Sequence, residues 1–310
     1  MARIVTLTMN PALDIATSIQ RIEPERKLRC DAPRYDPGGG GINVARVVHA
    51  LGVDARAVFP AGGAAGELIG DLLRQEGVAH VAVPIKGFTR ESLNVAERES
   101  GQQYRFILPG PEIGGPDQQR CLDALATAAA GADFIVASGS LPRGAPEDFY
   151  AHVGDLAGRL GVRLVLDTSG PALRHAGTGV HLLKPSMGEL EGLLGHPVQG
   201  EREEEQAARG LVEQRRCEVA IVSLGARGAL LASTQGVERL PAVQVPAKTA
   251  VGAGDSMLAG VLVGLIRGLD LREAARYGIA AGAAALLAAG TQLCRPEDVE
   301  RLYRRPADTH

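Results

Sequence analysis

The sequence predicts an α/β fold in which helices flank a mostly parallel central sheet and a small β-sheet forms a lid. Short β-branched runs alternate with longer segments rich in alanine and leucine, the pattern of βα units around a parallel sheet. Two other segments look like extended hairpins. The 310 residues are 45% hydrophobic and 22% charged, enough to bury a large core. No repeat or low-complexity linker divides residues 1–310, so we expect one domain.

The elements of the alternating pattern follow in chain order. The β-branched runs predict strands at Ile4–Thr8, Ala55–Phe59, Phe134–Ala137, Arg163–Asp167, Leu182–Lys184, Val219–Leu224 and Gly228–Ser233. The segments rich in alanine and leucine predict helices over 42–51, 65–77, 117–130, 147–160, 203–216, 255–267 and 271–289.

The segments 14–36 and 89–109 interrupt this alternation and form the predicted lid, the second with a turn at 99–102. Side chains alternate across a strand. The second hairpin therefore has a polar face with Arg90, Ser92, Asn94 and Arg105, and an apolar face with Leu93, Val95, Tyr104, Phe106 and Leu108. Such a sheet can cover a charged ligand with its basic face and pack on a partner with its apolar face. We expect a homodimer built through this lid.

Composition argues against nucleic-acid binding, membrane insertion and secretion. The net charge is −3, the pI is near 6.2, Trp is absent and aromatics make up 3%, so there is neither a basic field nor many rings to stack on bases. The start lacks the apolar core of a signal peptide, and the apolar stretch Gly278–Gly290 is shorter than the roughly 20 residues of a membrane helix. The four cysteines are widely spaced without a C-x-x-C pair, as expected for reduced thiols in a cytoplasmic protein.

The strongest local motif is Val251–Ser256, which leads into the apolar helical segment Met257–Ile266. Its small residues let consecutive backbone N–H groups face one point, and the helix adds the positive end of its dipole, so the motif suits a phosphate or a developing negative charge. Asp255 is placed to take a proton from an acceptor hydroxyl in phosphoryl transfer. Asp is also a common helix cap, and the motif alone leaves both interpretations open.

A second glycine motif, Gly38–Gly41, is followed by Ile42, Asn43 and a helical segment. The glycines let the backbone pass close to a ligand, and Asn43 can bond a hydroxyl. A flexible linker is the alternative, but such linkers normally continue with serine and other polar residues. The motif lacks the third glycine of a dinucleotide site, and the sequence has no P-loop motif.

Two further motifs, Lys184–Leu190 and Ser223–Gly228, lie at predicted strand ends, where open α/β sheets bind ligands. In the first, Glu189 can hold the water shell of Mg²⁺ and Lys184 can meet a phosphate, although a solvated surface pair is the alternative. The second can border a nucleotide, but a turn between two strands needs no function.

Three cations and one carboxylate on the predicted lid are candidates for substrate binding. Lys27, Arg90 and Arg105 suit a substrate phosphate, and Asp14 suits sugar hydroxyls. Surface lysines and arginines are usually only solvated, but the shared location of these three on the lid favours a binding role.

Taken together, these residues resemble the ribokinase-like carbohydrate kinases of the PfkB family along almost the whole chain. Asn10–Asp14, the glycine run with Asn43, and Gly252–Asp255 stand in the family's order and approximate spacing. The bacterial members that phosphorylate fructose 6-phosphate look most similar, through Gly38–Arg46, Phe59–Gly63, Gln103–Phe106, Ser138–Pro142 and Val251–Met257.

The resemblance implies a Rossmann-like sandwich with a dimerising lid, and transfer of phosphate from MgATP to the C1 hydroxyl of fructose 6-phosphate, a glycolytic step. It implies Asp255 as the base. By position, it assigns the anion hole to Gly252, Ala253 and Gly254; sugar hydroxyls to Asp14, Gly39 and Asn43; the 6-phosphate to Lys27, Arg90 and Arg105, with Ser138 nearby; ATP phosphates and metal to Lys184, Ser186 and Glu189; the nucleotide to Ser223, Gly225 and Gly228; and adenine packing to Ile279–Ala285.

One residue departs from the family pattern: Ser186 stands where the Asn-x-x-Glu motif has asparagine. A serine hydroxyl still donates and accepts hydrogen bonds, so we expect altered Mg²⁺ affinity rather than lost activity. Family members also often bind a monovalent cation such as K⁺, which the resemblance places near Thr249 and Val251.

Three other functions stay open on the sequence. Tagatose-6-phosphate kinase and 1-phosphofructokinase share the mechanism, and their acceptors differ from fructose 6-phosphate by one stereocentre or by the position of the phosphate. A non-enzymatic sugar-phosphate sensor would need neither a base nor a metal residue, so the presence of both Asp255 and Glu189 argues against it.

Overall fold

The computed structural model describes residues 3–247, 251–288 and 290–304, whose strands form a nine-stranded and a four-stranded sheet. The strands are β1 (Ile4–Leu7), β2 (Ala12–Ile19), β3 (Arg34–Gly38), β4 (Ala55–Ala61), β5 (Ala79–Pro84), β6 (Arg90–Glu97), β7 (Gln103–Ile107), β8 (Phe134–Ser138), β9 (Arg163–Asp167), β10 (Val180–Leu183), β11 (Cys217–Ser223), β12 (Ala229–Ser233) and β13 (Gly236–Leu240). The helices are α1 (Gly40–Ala50), α2 (Gly63–Gln75), α3 (Gly115–Ala129), α4 (Phe149–Leu160), α5 (Gly170–Arg174), α6 (Met187–Leu194), α7 (Gly200–Glu213), α8 (Ala253–Ile266), α9 (Leu271–Leu286) and α10 (Pro296–Tyr303).

The large sheet has the strand order β13-β12-β11-β10-β9-β8-β1-β4-β5. It is parallel from β11 to β5 and ends in the antiparallel pairs β11–β12 and β12–β13. Its central strands are predominantly apolar because helices cover both faces. In β1, Ile4 faces the core under α1, α8 and α9, whereas Val5 and Leu7 face the core under α3 and α4.

The predicted α/β class is confirmed, and each predicted strand and helix is present with ends shifted by a few residues. Gly228 was predicted as the first residue of a strand, but β12 begins after it. Gly228 has φ 95°, and a Cβ there would lie 2.0 Å from the carbonyl oxygen of Leu240, so it forms a turn that only glycine permits. The strands β5 and β13 and the helices α5, α6 and α10 were not predicted. Both strands are sheet edges with partly exposed residues, which lack the continuous apolar run of a buried strand.

The small sheet has the order β3-β2-β6-β7 and confirms that both predicted lid segments contain paired strands. β2 pairs antiparallel with β3 and parallel with β6, and β6 pairs antiparallel with β7. Asn94 stands opposite Arg105 on the polar face, while Leu93 stands opposite Phe106 on the other face. Phe106 is 51% exposed and Tyr35 is 43% exposed, so the lid presents aromatic side chains to solvent.

Within the described ranges, none of the helices combines the length and hydropathy needed to cross a membrane. Cys30 is exposed, whereas Cys121, Cys217 and Cys294 are buried, and all four are free thiols.

Candidate active site

A cleft of about 280 Å³ opens at the carboxyl ends of β8 and β9, between the large sheet and the small one. This is where parallel α/β sheets bind ligands, because successive loops converge there. The predicted site residues that line it are Asp14, Gly39, Asn43, Arg90, Arg105, Ser138, Glu189, Val251, Gly252 and Asp255.

Asp255 lies in the first turn of α8, and its Oδ2 accepts a 2.9 Å hydrogen bond from Nδ2 of Asn43. The N-cap residue that precedes this helix is Gly252, in the left-handed conformation at φ 72°. Asp255 therefore does not cap the helix. A carboxylate held by another side chain at the N-terminus of a helix, in a cleft, is arranged to receive a proton beside a site for negative charge.

The glycine motif before α1 packs closely against residues that follow β1 and end β8, so it is not a flexible linker. A Cβ on Gly40 would lie 2.2 Å from Oγ of Ser138, and one on Gly41 would lie 2.6 Å from Oγ1 of Thr8. The same Thr8 hydroxyl accepts a 2.8 Å hydrogen bond from the backbone N–H of Ile42. These contacts fix the start of α1 against β1 and β8, and they aim Asn43 at the cleft.

A buried ion pair lies beside the carboxylate of Asp255: Nζ of Lys184 is 3.1 Å from Oδ2 of Asp167. Burial opposes the charge on Lys184, but the carboxylates of Asp167, Asp255 and Glu189 outweigh it and raise the pKa of the lysine. Lys184 therefore stays charged at neutral pH, and a Cβ on the neighbouring Gly254 would lie 3.5 Å from its Nζ.

Two carboxyl groups in the cleft have raised pKa values. Burial, and next the charge of Asp167, raise the pKa of Asp255 to about 6, against the opposing effects of the Asn43 hydrogen bond and of Lys184. Burial likewise raises the pKa of Asp14 to about 6, although Arg90 and Arg105 oppose the shift. At neutral pH Asp255 is thus ionised, and it is a stronger base than an ordinary carboxylate.

Two arginines of the small sheet give the other end of the cleft its positive charge. Nη2 of Arg90 donates to the carbonyl oxygen of Asn10 at 3.1 Å, and Nε of Arg105 donates to Oδ1 of Asn94 at 3.1 Å. The buried Nε of Arg90 has no hydrogen-bond partner among the described residues. An unsatisfied buried donor is costly, and two guanidinium groups above one cleft suit a phosphate.

The predicted nucleotide motifs lie next to each other at the carboxyl ends of β10 and β11, beside the cleft. Ser186 and Ser223 form a parallel bridge, and the N–H of Ser223 donates to the carbonyl oxygen of Pro185 at 2.9 Å. After β11 the chain makes a single 3-10 turn at Gly225–Arg227. The Lys184 and Ser223 motifs therefore border one surface.

Ser186 begins α6 and forms a capping box with Glu189. Oε2 of Glu189 accepts from the backbone N–H of Ser186 at 2.7 Å and from its hydroxyl at 2.9 Å. Glu189 and Asp167 both line the cleft. Mg²⁺ is usually held by one or two carboxylates with waters and substrate phosphates, and these two side chains are carboxylates of that kind. The described residues contain no cluster of three or more metal-ligating side chains.

Some predicted residues do not line this cleft. Lys27 is exposed and lies outside it. Ala253 and Gly254 begin α8 beside it, while Lys184 is buried behind Gly254. Thr249 falls outside the described residues, so its predicted role in a cation site stays a prediction.

Sequence reasoning missed Asp167, Thr168 and Gly139, which also line the cleft. The signal for Asp167 was present, because it is a charged residue at the carboxyl end of an apolar strand. Gly139 lies within Ser138–Pro142, a segment that carries the family resemblance, but only Ser138 of that segment was predicted as a site residue. The carbonyl oxygen of Gly139 accepts hydrogen bonds from the hydroxyls of Tyr150 at 2.9 Å and Thr168 at 3.0 Å, which fix the turn that follows Ser138.

A larger cleft of about 1260 Å³ opens at the amino ends of β10 and β11, at the opposite end of the sheet. Its arginine Arg272 is ion-paired with Glu238, N to O 2.6 Å. Volume alone does not identify a site, and the convergence of a carboxylate with a raised pKa, two arginines and a helix N-terminus favours the smaller cleft.

Comparison with known proteins agrees with this geometry. The pfkB family carbohydrate kinase model matches residues 7–298. The chain is 50% identical over 306 residues to the ATP-dependent 6-phosphofructokinase isozyme 2 of Mycobacterium tuberculosis strain CDC 1551, covering 99% of this chain and 90% of that one. It is 39% identical over 305 residues to the protein of the same name from Escherichia coli K12, with 98% of each covered. A 1-phosphofructokinase of Xanthomonas campestris is 31% identical over 303 residues, covering 95% and 94%.

Solved structures give the same picture. Phosphofructokinase-2 from Escherichia coli in complex with potassium matches with a TM-score of 0.93 at 39% identity, covering 98% of both chains. The same protein in complex with fructose-6-phosphate matches with a TM-score of 0.91 at 38% identity and the same coverage. A ribokinase from Thermotoga maritima matches at 0.77 and 21% identity, covering 98% of this chain and 100% of that one, and confirms the ribokinase-like fold.

Proposed function

The chain belongs to the pfkB family of carbohydrate kinases, and we propose that it transfers the γ-phosphoryl group of ATP to the C1 hydroxyl of fructose 6-phosphate. The catalytic unit is a single domain over residues 1–310, with a lid formed by residues 14–36 and 89–109. The observation that carries the proposal is the placement of Asp255, held by Asn43 at the start of α8, in the same cleft as Arg90 and Arg105.

Residues around the reacting end of the cleft carry out the phosphoryl transfer. Asp255 accepts the proton of the acceptor hydroxyl as the hydroxyl oxygen attacks the γ-phosphorus and ADP leaves. The backbone N–H groups of Gly252, Ala253 and Gly254 face the transferring phosphoryl group at the positive end of α8, and Lys184 adds a fixed positive charge behind them. The nucleotide occupies the side bordered by Ser223, Gly225 and Gly228, and the small residues Ile279–Ala285 pack beside the adenine.

Mg²⁺ bound with ATP would neutralise charge on the phosphates. Glu189, held in place by Ser186, and Asp167 are the carboxylates that would hold its water shell.

We also propose a monovalent cation near Thr249 and Val251, supported by the potassium complex of the Escherichia coli relative. Replacing K⁺ by Na⁺ or tetramethylammonium at constant ionic strength tests it, and unchanged turnover would remove this part.

The cleft fits an acceptor with a phosphate at one end and the reacting hydroxyl at the other, because Arg90 and Arg105 lie on the lid side and Asp255 lies on the sheet side. Fructose 6-phosphate, tagatose 6-phosphate and fructose 1-phosphate all have that arrangement. The choice of fructose 6-phosphate is supported by the higher identity to relatives named 6-phosphofructokinase, 50% and 39%, than to one named 1-phosphofructokinase, 31%. Asp14, Gly39 and Asn43 between them suit the sugar hydroxyls, and Ser138 lies nearby. Lys27 is retained as a third phosphate ligand in the proposal, although it is exposed and outside this cleft.

The decisive experiment measures ADP release with MgATP across a panel of acceptors: fructose 6-phosphate, tagatose 6-phosphate, fructose 1-phosphate, ribose and adenosine. We expect kcat/KM to be highest for fructose 6-phosphate. A preference for fructose 1-phosphate or tagatose 6-phosphate would reassign the acceptor. Tight binding without ADP formation from any acceptor would instead support a sugar-phosphate sensor.

We further propose that two chains dimerise through the apolar face of the lid. Phe106 and Tyr35 are large, exposed and on the same face, and such patches are typical of interfaces. Sedimentation equilibrium of Phe106→Asp should show a weakened dimer, whereas Phe88→Asp, on an exposed loop outside the strands of the lid, should not.

The glycolytic substrates and the free thiols favour a cytoplasmic location.

A further inference from the structure

Asp36, on the lid strand β3, is a buried carboxylate with partners from three parts of the chain. It is 3% exposed. It pairs with Arg34 of its own strand at 2.7 Å and lies 3.6 Å from Nη2 of Arg46 on α1. The hydroxyl of Thr291, in the segment after α9, donates to its Oδ2. A buried charge requires such compensation, so this carboxylate joins the lid, α1 and the segment after α9.

Arg46 makes this junction rigid. Its guanidinium donates to both oxygens of Glu76 at 2.7 and 2.6 Å and to the carbonyl oxygen of Pro37 at 2.9 Å. Arg46 lies three residues after Asn43, on the same side of α1. Helix α1 therefore contacts two parts of the site: Asn43 bonds the carboxylate of Asp255, and Arg46 bonds strand β3 of the lid.

The segment Gly290–Leu293 touches both the lid and the loop that begins α8. A Cβ on Gly290 would lie 3.5 Å from Cβ of Ala16 on β2, and one on Gly252 would lie 2.6 Å from Cδ2 of Leu293. Thr291 stands between these two contacts and is 3% exposed. On the lid, Asp36 stands directly opposite Asp14, which faces the cleft. A continuous set of contacts thus runs from the sugar side of the cleft to the anion-binding loop at Gly252.

We propose that Thr291 and Asp36 are positioning residues that couple the lid to the loop at Gly252, so that acceptor binding under the lid and nucleotide phosphate binding at the start of α8 favour each other. The inference rests on the proposed function, because it assigns the acceptor to one side of the cleft and ATP to the other. Neither residue touches the reacting atoms. A side chain that only satisfied a buried carboxylate would support stability without linking the two ligands.

The test measures the dissociation constant of fructose 6-phosphate by calorimetry, with and without a saturating non-hydrolysable ATP analogue and Mg²⁺. The ratio of the two constants is the coupling. In the wild type we expect the analogue to tighten acceptor binding by about fivefold or more, the lower end of typical couplings. Thr291→Val keeps the shape and removes the hydroxyl, and it should bring the ratio to within about twofold of one.

Two variants separate coupling from simple stability. Thr291→Ser retains the hydroxyl and should restore the ratio. Asp36→Leu is close in size and removes the acceptor, so it should reduce the ratio as Thr291→Val does, with no further loss in the double variant. If Thr291→Val does not fold, Asp36→Leu carries the test. Thr127→Val is the matched control, because the hydroxyl of Thr127 bonds the carbonyl oxygen of Asp123 on the remote helix α3 at 3.0 Å; its ratio should equal that of the wild type.

The inference is overturned by a wild-type ratio of one, by an unchanged ratio in Thr291→Val, or by equal loss in Thr291→Ser and Thr291→Val. Wild-type ADP formation from fructose 6-phosphate is measured first. Its absence would overturn the proposed function, whereas an unchanged ratio in an active Thr291→Val enzyme would overturn the coupling alone.

Discussion

The side-chain amide of Asn43 donates a 2.9 Å hydrogen bond to the carboxylate of Asp255, although 212 residues separate them in the chain. One residue lies near the start of α1 and the other near the start of α8, so the bond joins the N-terminal ends of two helices in one cleft. It occupies one carboxylate oxygen and leaves the other to receive a proton. This geometry is the basis of the following predictions.

Asp255→Asn should lower kcat by about 10³-fold, within the usual range for general base catalysis, because an amide does not accept the proton. Dissociation constants for MgATP and fructose 6-phosphate should change by less than about threefold, since shape and the Asn43 contact are kept. Steady-state kinetics and calorimetry measure the two effects. Asp270→Asn is the control: Asp270 caps α9, asparagine caps equally well, and activity should not change. Near-normal turnover in Asp255→Asn would refute the assignment of the base.

Asp167→Asn should move the acidic limb of the kcat profile to lower pH. In the wild type kcat should fall below about pH 6, because the pKa of Asp255 is raised to about 6 by burial and then by the charge of Asp167. Asp167→Asn removes the negative charge that raises the pKa of Asp255 and keeps the positive charge of Lys184 that lowers it, so the pKa of Asp255 falls. Rate measurements from pH 4.5 to 8 locate the limb.

Asp133→Asn controls for the loss of an ion-paired carboxylate, because Asp133 pairs with Arg3 outside the cleft at 2.7 Å, and its profile should match the wild type. Asp14 has a similarly raised pKa, so the limb is also measured in Asp14→Asn. An acidic limb that shifts in Asp14→Asn but not in Asp167→Asn would contradict this prediction.

Asp255→Asn should also stabilise the fold at neutral pH. A carboxyl whose pKa is raised from 3.8 to about 6 on folding contributes stability below about pH 4 that is lost as pH rises through 6. The variant should therefore gain about 1–2 kcal/mol in free energy of unfolding at pH 7.5, after allowance for partial exposure, and little at pH 4. Urea unfolding at both pH values measures this. A gain that is larger at pH 4 would have the wrong sign.

Arg90→Ala and Arg105→Ala should each raise KM for fructose 6-phosphate by about 10 to 100-fold, because a hydrogen bond to a charged group contributes about 1.5–3 kcal/mol. The effect on kcat should be much smaller. Arg98→Ala is the matched control, since Arg98 directly follows β6, the strand of Arg90, but pairs with Asp31 outside the cleft. Equal loss in all three variants would mean that the lid had unfolded, and no loss in the first two would displace the phosphate from this end.

Ser186→Asn should change the Mg²⁺ concentration that gives half-maximal activity by severalfold while leaving the fold intact. Asparagine caps a helix as well as serine, but its amide alters the hydrogen bonds that hold Glu189. Activity against free Mg²⁺ measures the effect, and thermal unfolding provides the control. Ser186→Ala loses the cap and should cost about 1 kcal/mol of stability. An identical Mg²⁺ dependence in Ser186→Asn would show that position 186 does not act on the metal.

The sequence by itself was enough for the layered α/β fold, the lid and most of the cleft. Alternating apolar runs predict a parallel sheet because period and length depend on local residues, and glycine motifs before helices predict anion-binding loops for the same reason. The polar and apolar faces of β6 and β7 follow from period two alone. Edge strands such as β5 escape this reasoning, since partial exposure weakens the apolar pattern.

Only the tertiary structure excluded Asp255 as a helix cap. By local chemistry it was equally a cap or a base, but Gly252 occupies the N-cap position in the left-handed conformation, and Asp255 bonds Asn43 in the cleft. Its role as the base stays a prediction. The ion pair of Asp167 with Lys184 and the junction of Asp36 with Thr291 were likewise absent from any local pattern. Their partners are 17 and 255 residues apart, and a hydrogen bond or an ion pair depends on distance in space, which no window along the chain contains.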